Sequence, residues 1–384
     1  MSISEGNRIR AVYFMVFCCT AAWLPIMADF LKERGMSGLQ TSAILSTTPI
    51  VMFAVQPFYG VLADRIGPKR CLLLSSALAG LSYLLYLSQG GFWYLLGITV
   101  VMSVFYNALQ PLLDTLALGL AERDPSFNYG NLRIAGAAGW SFTGIINGYC
   151  IEALDTSVIF VLSATSMFLA FGLALLLAGA KTGDKPMATT QVSPKEVFAN
   201  RRLMLFLLMV VLVSMGGTTI WNFYSLYLKE NGATASLVGF GLSFQGLCEL
   251  PLFFFAARII GRFGLRPTLL LTLAALALRM LLYYLVDNPK AAIAIELLHG
   301  VSWSLFWVAC VEHVNSMVRE EWRATGQSLL YAAYFGAGAI LGNFWTGWLY
   351  DSGMKIGGIF LLNAGLVAGV GVVAWLGGVG RERG

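Results

Sequence analysis

The sequence predicts an all-α integral membrane protein, with twelve transmembrane helices in two pseudo-symmetric six-helix bundles. Three observations predict it. Apolar runs of about 20 residues recur along the 384-residue chain, and each is long enough to cross a ~30 Å hydrocarbon core. The chain is 58% hydrophobic and only 12% charged, against roughly 25% charged in a soluble domain, and its mean hydropathy is +0.73. The chain also repeats itself: "FLKERG" at Phe30–Gly35 answers "YLKENG" at Tyr227–Gly232, and the same offset of 197 residues aligns "GVLADRIGPKRCLLL" (Gly60–Leu74) with "ARIIGRFGLRPTLLL" (Ala257–Leu271). The runs lack the alternation of barrel strands.

The spans follow in order at about 11–30, 39–62, 71–88, 92–120, 131–152, 157–179, 203–228, 236–259, 267–286, 290–317, 324–350 and 356–378. The first has no small-residue cleavage site and reads as a span rather than a signal peptide. It carries Asp29 near its outer end, where an acid costs little. Span four sets Asn107, Gln110 and Asp114 on one face, and span five sets Arg133, Gly136, Trp140, Gly144 and Asn147 on one face. Residues 181–202, the longest polar stretch, read as a linker between an N-terminal bundle (1–180) and a C-terminal bundle (203–384). Beyond it, span seven aligns Ser214, Thr218, Trp221 and Ser225. Span eight aligns Gln245 and Glu249, span nine holds Arg279, and span ten holds Glu296, His299, Trp303 and Trp307. Small and polar residues on these faces also serve helix packing.

Lys and Arg set the orientation. With the N-terminus in the cytoplasm, 19 of the 25 fall on cytoplasmic segments and 5 on the outer side, with Arg279 left inside a span. Both termini are therefore expected in the cytoplasm. The net charge of +5 reads as topology, not nucleic-acid binding. The six Cys show no metal spacing and read as buried small hydrophobes.

Ionisable groups inside spans are costly and face a cavity or a partner. On a 100° wheel Glu296, His299, Trp303 and Trp307 share an arc of about 80°, while Leu297, Val301, Leu305 and Val308 lie opposite as a lipid face. Arg279 lies about 18 Å from one end of its span and His299 about 15 Å from the other end of its own, so the two should meet at similar depth with Glu296. A static ion pair that fixes packing is the plainer alternative. Asp114 and Arg133, of opposite sign on adjacent spans, are expected to pair.

The motif Gly60-x-x-x-Asp64-Arg65-x-Gly67-x-Lys69-Arg70, with its degenerate second copy, resembles the signature loop of the major facilitator superfamily. The resemblance covers the whole chain and implies that fold. It implies that Gly60, Asp64, Arg65, Gly67, Lys69 and Arg70 form a cytoplasmic gate. Gly261 stands opposite Asp64 in the second copy, so gating should be weaker there. "PLLDTLALGLAERDPSFNYGNLRIAGAAGW" (Pro111–Trp140) and "ELLHG" resemble the branch that holds the lactose permease, the phenylpropionate permease and the nucleoside:proton symporter. That resemblance implies substrate binding by Asp114, Arg133, Trp140, Gln245, Glu249, His299 and Trp303. It implies proton coupling around His299 and Arg279. The acid expected three residues past the His is Ser302 here, so Glu296, Glu249 or Asp29 must carry the proton.

The expectation is a secondary transporter of a cell membrane, bacterial inner membrane by type, working by alternating access. Proton-coupled uptake of a small polar or aromatic solute (a sugar, nucleoside, aromatic acid or metal chelator) is expected. The expected partners are solute, protons and lipid, with a monomeric chain, no nucleic acid, no metal and no cofactor beyond the proton gradient. A proton-driven drug exporter of the same fold is the alternative; span five lacks the Gly-Pro run such exporters carry. An enzyme is disfavoured, because there is no His-Glu-x-x-His site, nucleophile elbow or phosphate loop. A non-transporting receptor would need ligand binding without flux.

Overall fold

The computed structural model describes residues 4–88, 90–127, 129–178 and 199–380. Most of the predicted linker, with Lys181, Lys185 and Lys195, and the terminal Arg381 and Arg383 lie outside the described residues. Among the described residues there is no strand. The helices are α1 Glu5–Trp23, α2 Met27–Glu33, α3 Gly38–Ile66, α4 Pro68–Leu85, α5 Phe92–Arg123, α6 Tyr129–Ala153, α7 Val158–Leu175, α8 Arg201–Glu230, α9 Ala235–Phe263, α10 Leu265–Leu285, α11 Pro289–Ala294, α12 Phe306–Met317, α13 Arg323–Tyr331, α14 Ala339–Asp351 and α15 Ile356–Leu376. Each predicted span falls on one of these or on two in series. Among the described residues, nine helical segments are long and apolar enough to cross a membrane. The α4, α6 and α13–α14 stretches are not among those nine.

The chain forms two compact units. Among the described residues, unit 1 takes 4–36, 43–178 and 234–246, and unit 2 takes 37–42, 199–233 and 247–380. The long helices α3 and α9 therefore each begin in one unit and continue in the other.

The repeat is visible in the backbone. Gly67 and Gly264, 197 residues apart, turn the chain into α4 and α10 with φ of 90° and 87°, a region open to glycine at little cost. Two residues on, Lys69 Nζ donates to the carbonyls of Leu175 and Leu177 at the end of α7. Its counterpart Arg266 donates to the Trp375 carbonyl at the end of α15, at 2.8 Å. Cations at helix C-termini satisfy carbonyls that the helix leaves unpaired.

In unit 1, α1 packs closely on α6. A Cβ at Gly139 would strike the Phe14 backbone and one at Gly136 the Phe17 ring, so span-five glycines serve close packing. Pro25 has no N–H for the Ala21 carbonyl, and Asn147 Nδ2 supplies the missing donor at 3.2 Å, with a second bond to Ala22 at 2.8 Å. The break at Leu24–Ile26 carries the chain on into α2. Asp29 is therefore buried, at 2% exposure, and does not sit at an aqueous helix end as its place in the sequence suggested. In unit 2, Asn363 joins α15 to α8 through the Gly216 carbonyl (3.2 Å) and Thr219 Oγ1 (2.9 Å). Asn222 Nδ2 reaches Asn343 Oδ1 of α14 at 2.7 Å.

Candidate functional site

Unit 2 holds a buried polar chain. Arg279 projects from α10 and is 1% exposed. Its Nη2 bonds Glu296 Oε2. Its Nε donates to Tyr283 Oη at 2.8 Å, one turn on, and the guanidinium carbon stands 5.5 Å from that ring's centroid. Tyr283 in turn donates to Glu296 Oε1. Both carboxylate oxygens of Glu296 are thus engaged, and the residue is 0% exposed. Arg279 Nη1 lies 2.7 Å from His299 Nδ1 and 3.4 Å from Ser302 Oγ. A guanidinium can only donate, so Nδ1 of His299 accepts and Nε2 carries the ring proton. That Nε2 donates to Glu249 Oε1 at 2.7 Å. Glu249 keeps 20% side-chain exposure.

The local backbone explains how these groups converge. Ile295–Leu298 is a tight 3₁₀ turn and Gly300–Leu305 a wide π turn, a departure frequent at functional sites. Glu296, His299 and Ser302 are all buried and turn toward Arg279. The uniform 100° wheel fails here. Leu305, predicted to face lipid, is 1% exposed, while Leu297 is 65% exposed. Arg279 does meet His299 and Glu296 in one cluster.

An aromatic wall adjoins the chain. Trp221 of α8 lies edge-on to His299 (5.6 Å between centroids) and to Trp303 (5.0 Å), and Trp303 stacks on Trp307 (5.6 Å). Trp221 Nε1 reaches Tyr334 Oη at 3.4 Å. A cavity of about 10 Å³ lies among Trp221, Arg279, His299, Ser302, Trp303 and Tyr334, near the size of one water probe. A wider cavity, about 1480 Å³, lies elsewhere in unit 2, against α8, α12 and α15, and its lining includes none of the predicted site residues.

Unit 1 holds a second polar set. Tyr13 of α1 donates to Asp114 Oδ1 of α5 at 2.6 Å. Arg133 of α6 donates to Tyr129 Oη at 2.6 Å, and the Tyr129 hydroxyl also interacts with Asp114. The expected Asp114–Arg133 pair is therefore built with Tyr129 as a shared partner. Trp140, two turns beyond Arg133, is half-buried and lies beside Gly246 at the end of the unit 1 part of α9. Gln245 is 2% exposed, and its Nε2 has no hydrogen-bond partner among the described residues. Of the predicted gate, Gly60, Asp64, Arg65 and Arg70 are exposed, while Gly67 forms the turn and Lys69 the α7 cap.

The tyrosines were missed from sequence. Tyr283 sits at i+4 from Arg279 and Tyr129 at i−4 from Arg133, and that one-turn spacing was the available signal. Tyr13 is 101 residues from Asp114, and no local pattern announces it. Among the described residues, no group of three metal-ligating side chains occurs.

A family model described as "MFS_1 like family" matches residues 7–361. The chain is similar to the maltose permease of Geobacillus stearothermophilus, 29% identical, with 97% of this chain and 94% of that one covered. It is similar to a probable 3-phenylpropionic acid transporter of Escherichia coli (strain K12), 22% identical over 91% of this chain and 93% of that one. Among solved structures, the nucleoside transporter NupG matches with a TM-score of 0.88 at 15% identity, covering 99% of this chain and 100% of that one.

Proposed function

The chain belongs to the MFS_1 like family, and on that premise we propose that it takes up a sugar or glycoside together with a proton. It is a multi-pass membrane transporter of the major facilitator superfamily and not an enzyme. The sugar class is supported by the maltose permease relative and by the chemistry of the two polar sets. In unit 1, Asp114, Arg133 and Tyr129 supply acceptors and donors for hydroxyl groups and Trp140 a flat face; in unit 2, Trp221 and Trp303 supply flat faces of the kind on which a pyranose ring packs.

The observation that carries proton coupling is the difference between two acids of unit 2. Glu296 is held by a guanidinium and a tyrosine, so its charge is balanced in place. Glu249 accepts from the neutral imidazole of His299 and keeps part of its surface open. The Arg279–Glu296 pair sums to zero. An ionised Glu249 leaves the buried chain at −1, and a protonated one leaves it neutral. Buried uncompensated charge is costly. Proton entry at Glu249 therefore sets the charge state in which the transporter changes conformation, and His299 Nε2–H holds the carboxyl in position. Ser302 occupies the place where relatives of this branch are expected to carry an acid, and Glu249 takes over that duty.

Uptake of labelled maltose into energised membrane vesicles tests the reading. Accumulation above the external concentration that collapses with a protonophore is expected. Accumulation indifferent to a protonophore removes proton coupling, and uptake of labelled nucleoside or phenylpropionate in place of maltose removes the sugar assignment.

A further inference from the structure

Antiparallel α8 and α15 meet closely at one level of unit 2. A Cβ on Gly216 would stand 3.3 Å from Val367, and Asn363 bonds the Gly216 carbonyl and Thr219 Oγ1 there. From that level to the start of α8 and the end of α15, both helices line the cavity of about 1480 Å³. The α15 side is a glycine face: among the described residues, a Cβ on Gly365 or Gly369 would meet nothing within 4 Å. The lining runs from Leu212 back to Asn200 and from Gly365 on to Gly377, about 18 Å along each helix. One leaflet of hydrocarbon is about 15 Å deep. Leu205, Leu208 and Val373 of the lining are exposed, so the cavity opens sideways toward lipid.

Its polar lining gathers at the start of α8 and the end of α12. Arg202 lines it, and Arg201, Arg262 and Arg266 each stand one residue from a lining position, against one acid, Glu312, among the described residues. Topology alone asks for arginines at this end, but it asks for no cavity and does not account for His313. That residue lines the cavity and is 8% exposed, and its Nδ1 has no hydrogen-bond partner among the described residues. Its ring stands edge-on to Phe206, 4.6 Å between centroids. It lies four residues from the end of α12, about 6 Å in. The polar layer on each face of a bilayer is about 5–8 Å thick, so His313 sits where that layer meets hydrocarbon. A buried polar nitrogen left unpaired is costly, and a ligand oxygen at that depth satisfies it.

We propose that this cavity holds one anionic phospholipid of the adjoining leaflet, its acyl chains along the glycine face of α15 and its phosphate region against Arg202 and His313. The site is separate from the two polar sets described above, and its test needs no flux. Basic pockets between helices at a membrane face suit anionic headgroups, and the excess of arginine over Glu312 gives this mouth the right sign. The length of the apolar wall decides for a lipid over a free phosphate, which would occupy the mouth and leave Leu205, Met209 and Leu212 uncovered. The glycine face admits the chains where any larger side chain on α15 would take their place. The bound lipid fills the wedge between α8 and α15 from the level of Gly216 to the membrane face.

The test incubates the full-length protein, purified in detergent, with an equimolar mixture of dioleoyl phosphatidylglycerol and dioleoyl phosphatidylcholine, and counts retained lipid by native mass spectrometry. The parent is expected to keep one phosphatidylglycerol per chain in preference to phosphatidylcholine. Gly365→Leu combined with Gly369→Leu fills the cavity and should abolish that retention. Both positions have room for the side chain, and leucine favours a helix over glycine, so this variant should melt no lower than the parent. Gly172→Leu is the control: it adds the same side chain at an exposed, equally open position on α7 of unit 1 and should leave retention at the parent level. His313→Phe keeps the ring and loses the Nδ1 contact, and should lower the preference for phosphatidylglycerol about fivefold. Arg202→Gln should lower it by a similar factor. If the filled variant does not purify folded, these two carry the test, since both leave the apolar wall intact. Equal retention by the filled variant and Gly172→Leu overturns the proposal, as does a preference that neither His313→Phe nor Arg202→Gln alters. A parent that keeps both lipids equally overturns the anionic headgroup. A parent that keeps neither, or that appears as a pair of chains without lipid, gives the cavity to another occupant and overturns the proposal outright.

Discussion

Unit 1 and unit 2 each bring an acid, an arginine and tyrosines together, yet they treat the acid differently. Asp114 in unit 1 is half-buried, accepts from Tyr13 and shares Tyr129 with Arg133. Glu296 in unit 2 is sealed at 0% exposure, with Arg279 on one oxygen and Tyr283 on the other. Glu249, joined to the same chain only through His299, stays partly open. The same side-chain chemistry thus yields a half-buried set in one unit and a locked pair beside one partly open, histidine-bonded acid in the other. Half-buried hydroxyls and carboxylates suit a solute with many hydroxyls. A locked pair beside a partly open acid suits a single proton.

Arg279→Ala should break this contrast most severely. It leaves Glu296 buried without its cation, a loss of about 3–5 kcal/mol, seen as the largest fall in thermal stability among the variants proposed. Replacing both partners, with Arg279→Met and Glu296→Leu, should recover most of that stability, because a paired charge exchanged for apolar packing is near neutral, while transport stays absent. Recovery of transport as well would mean that the pair does no more than fill space. Tyr283→Phe comes next. It removes the donor to Glu296 and the acceptor of Arg279, at about 1–3 kcal/mol for buried groups left unpaired, and its melting temperature should fall between those of Arg279→Ala and the parent.

The depths of Arg279 and His299 could be counted from Pro267 and Pro289, because one 3₁₀ turn changes the rise over ten residues by only about 2 Å, and the two side chains do meet. The repeat was legible too: Gly67 and Gly264 align in the sequence and adopt the same backbone. What the sequence hid has physical causes. A tyrosine counts as apolar in a membrane span until a partner 101 residues away engages its hydroxyl, as for Tyr13. A wheel with one fixed angle cannot anticipate a 3₁₀ turn followed by a π turn, so the burial of Leu305 was missed. The apolar run puts Asp29 at the outer end of a span ending near residue 30, but the helix runs on to Glu33 beyond the Leu24–Ile26 break, and Asp29 is buried within it.

Smaller changes should sharpen the contrast. Tyr13→Phe frees Asp114 Oδ1 and costs about 1 kcal/mol of hydrogen bonding. It should raise the KM for sugar roughly fivefold and leave proton-driven accumulation at saturating sugar unchanged. An equal loss of accumulation would place Asp114 on the proton path. Ser302→Ala removes two long contacts, from Arg279 at 3.4 Å and to the His299 carbonyl at 3.3 Å, and should lower stability by about 1 kcal/mol, less than Tyr283→Phe.

Glu249→Gln bears on the central claim most directly. Glutamine still accepts from His299 Nε2 but takes up no proton. In proteoliposomes the variant should exchange internal for external labelled maltose at close to the parent rate and fail to accumulate it against an imposed proton gradient. Accumulation at the parent level by Glu249→Gln would contradict the account and return the proton to another acid.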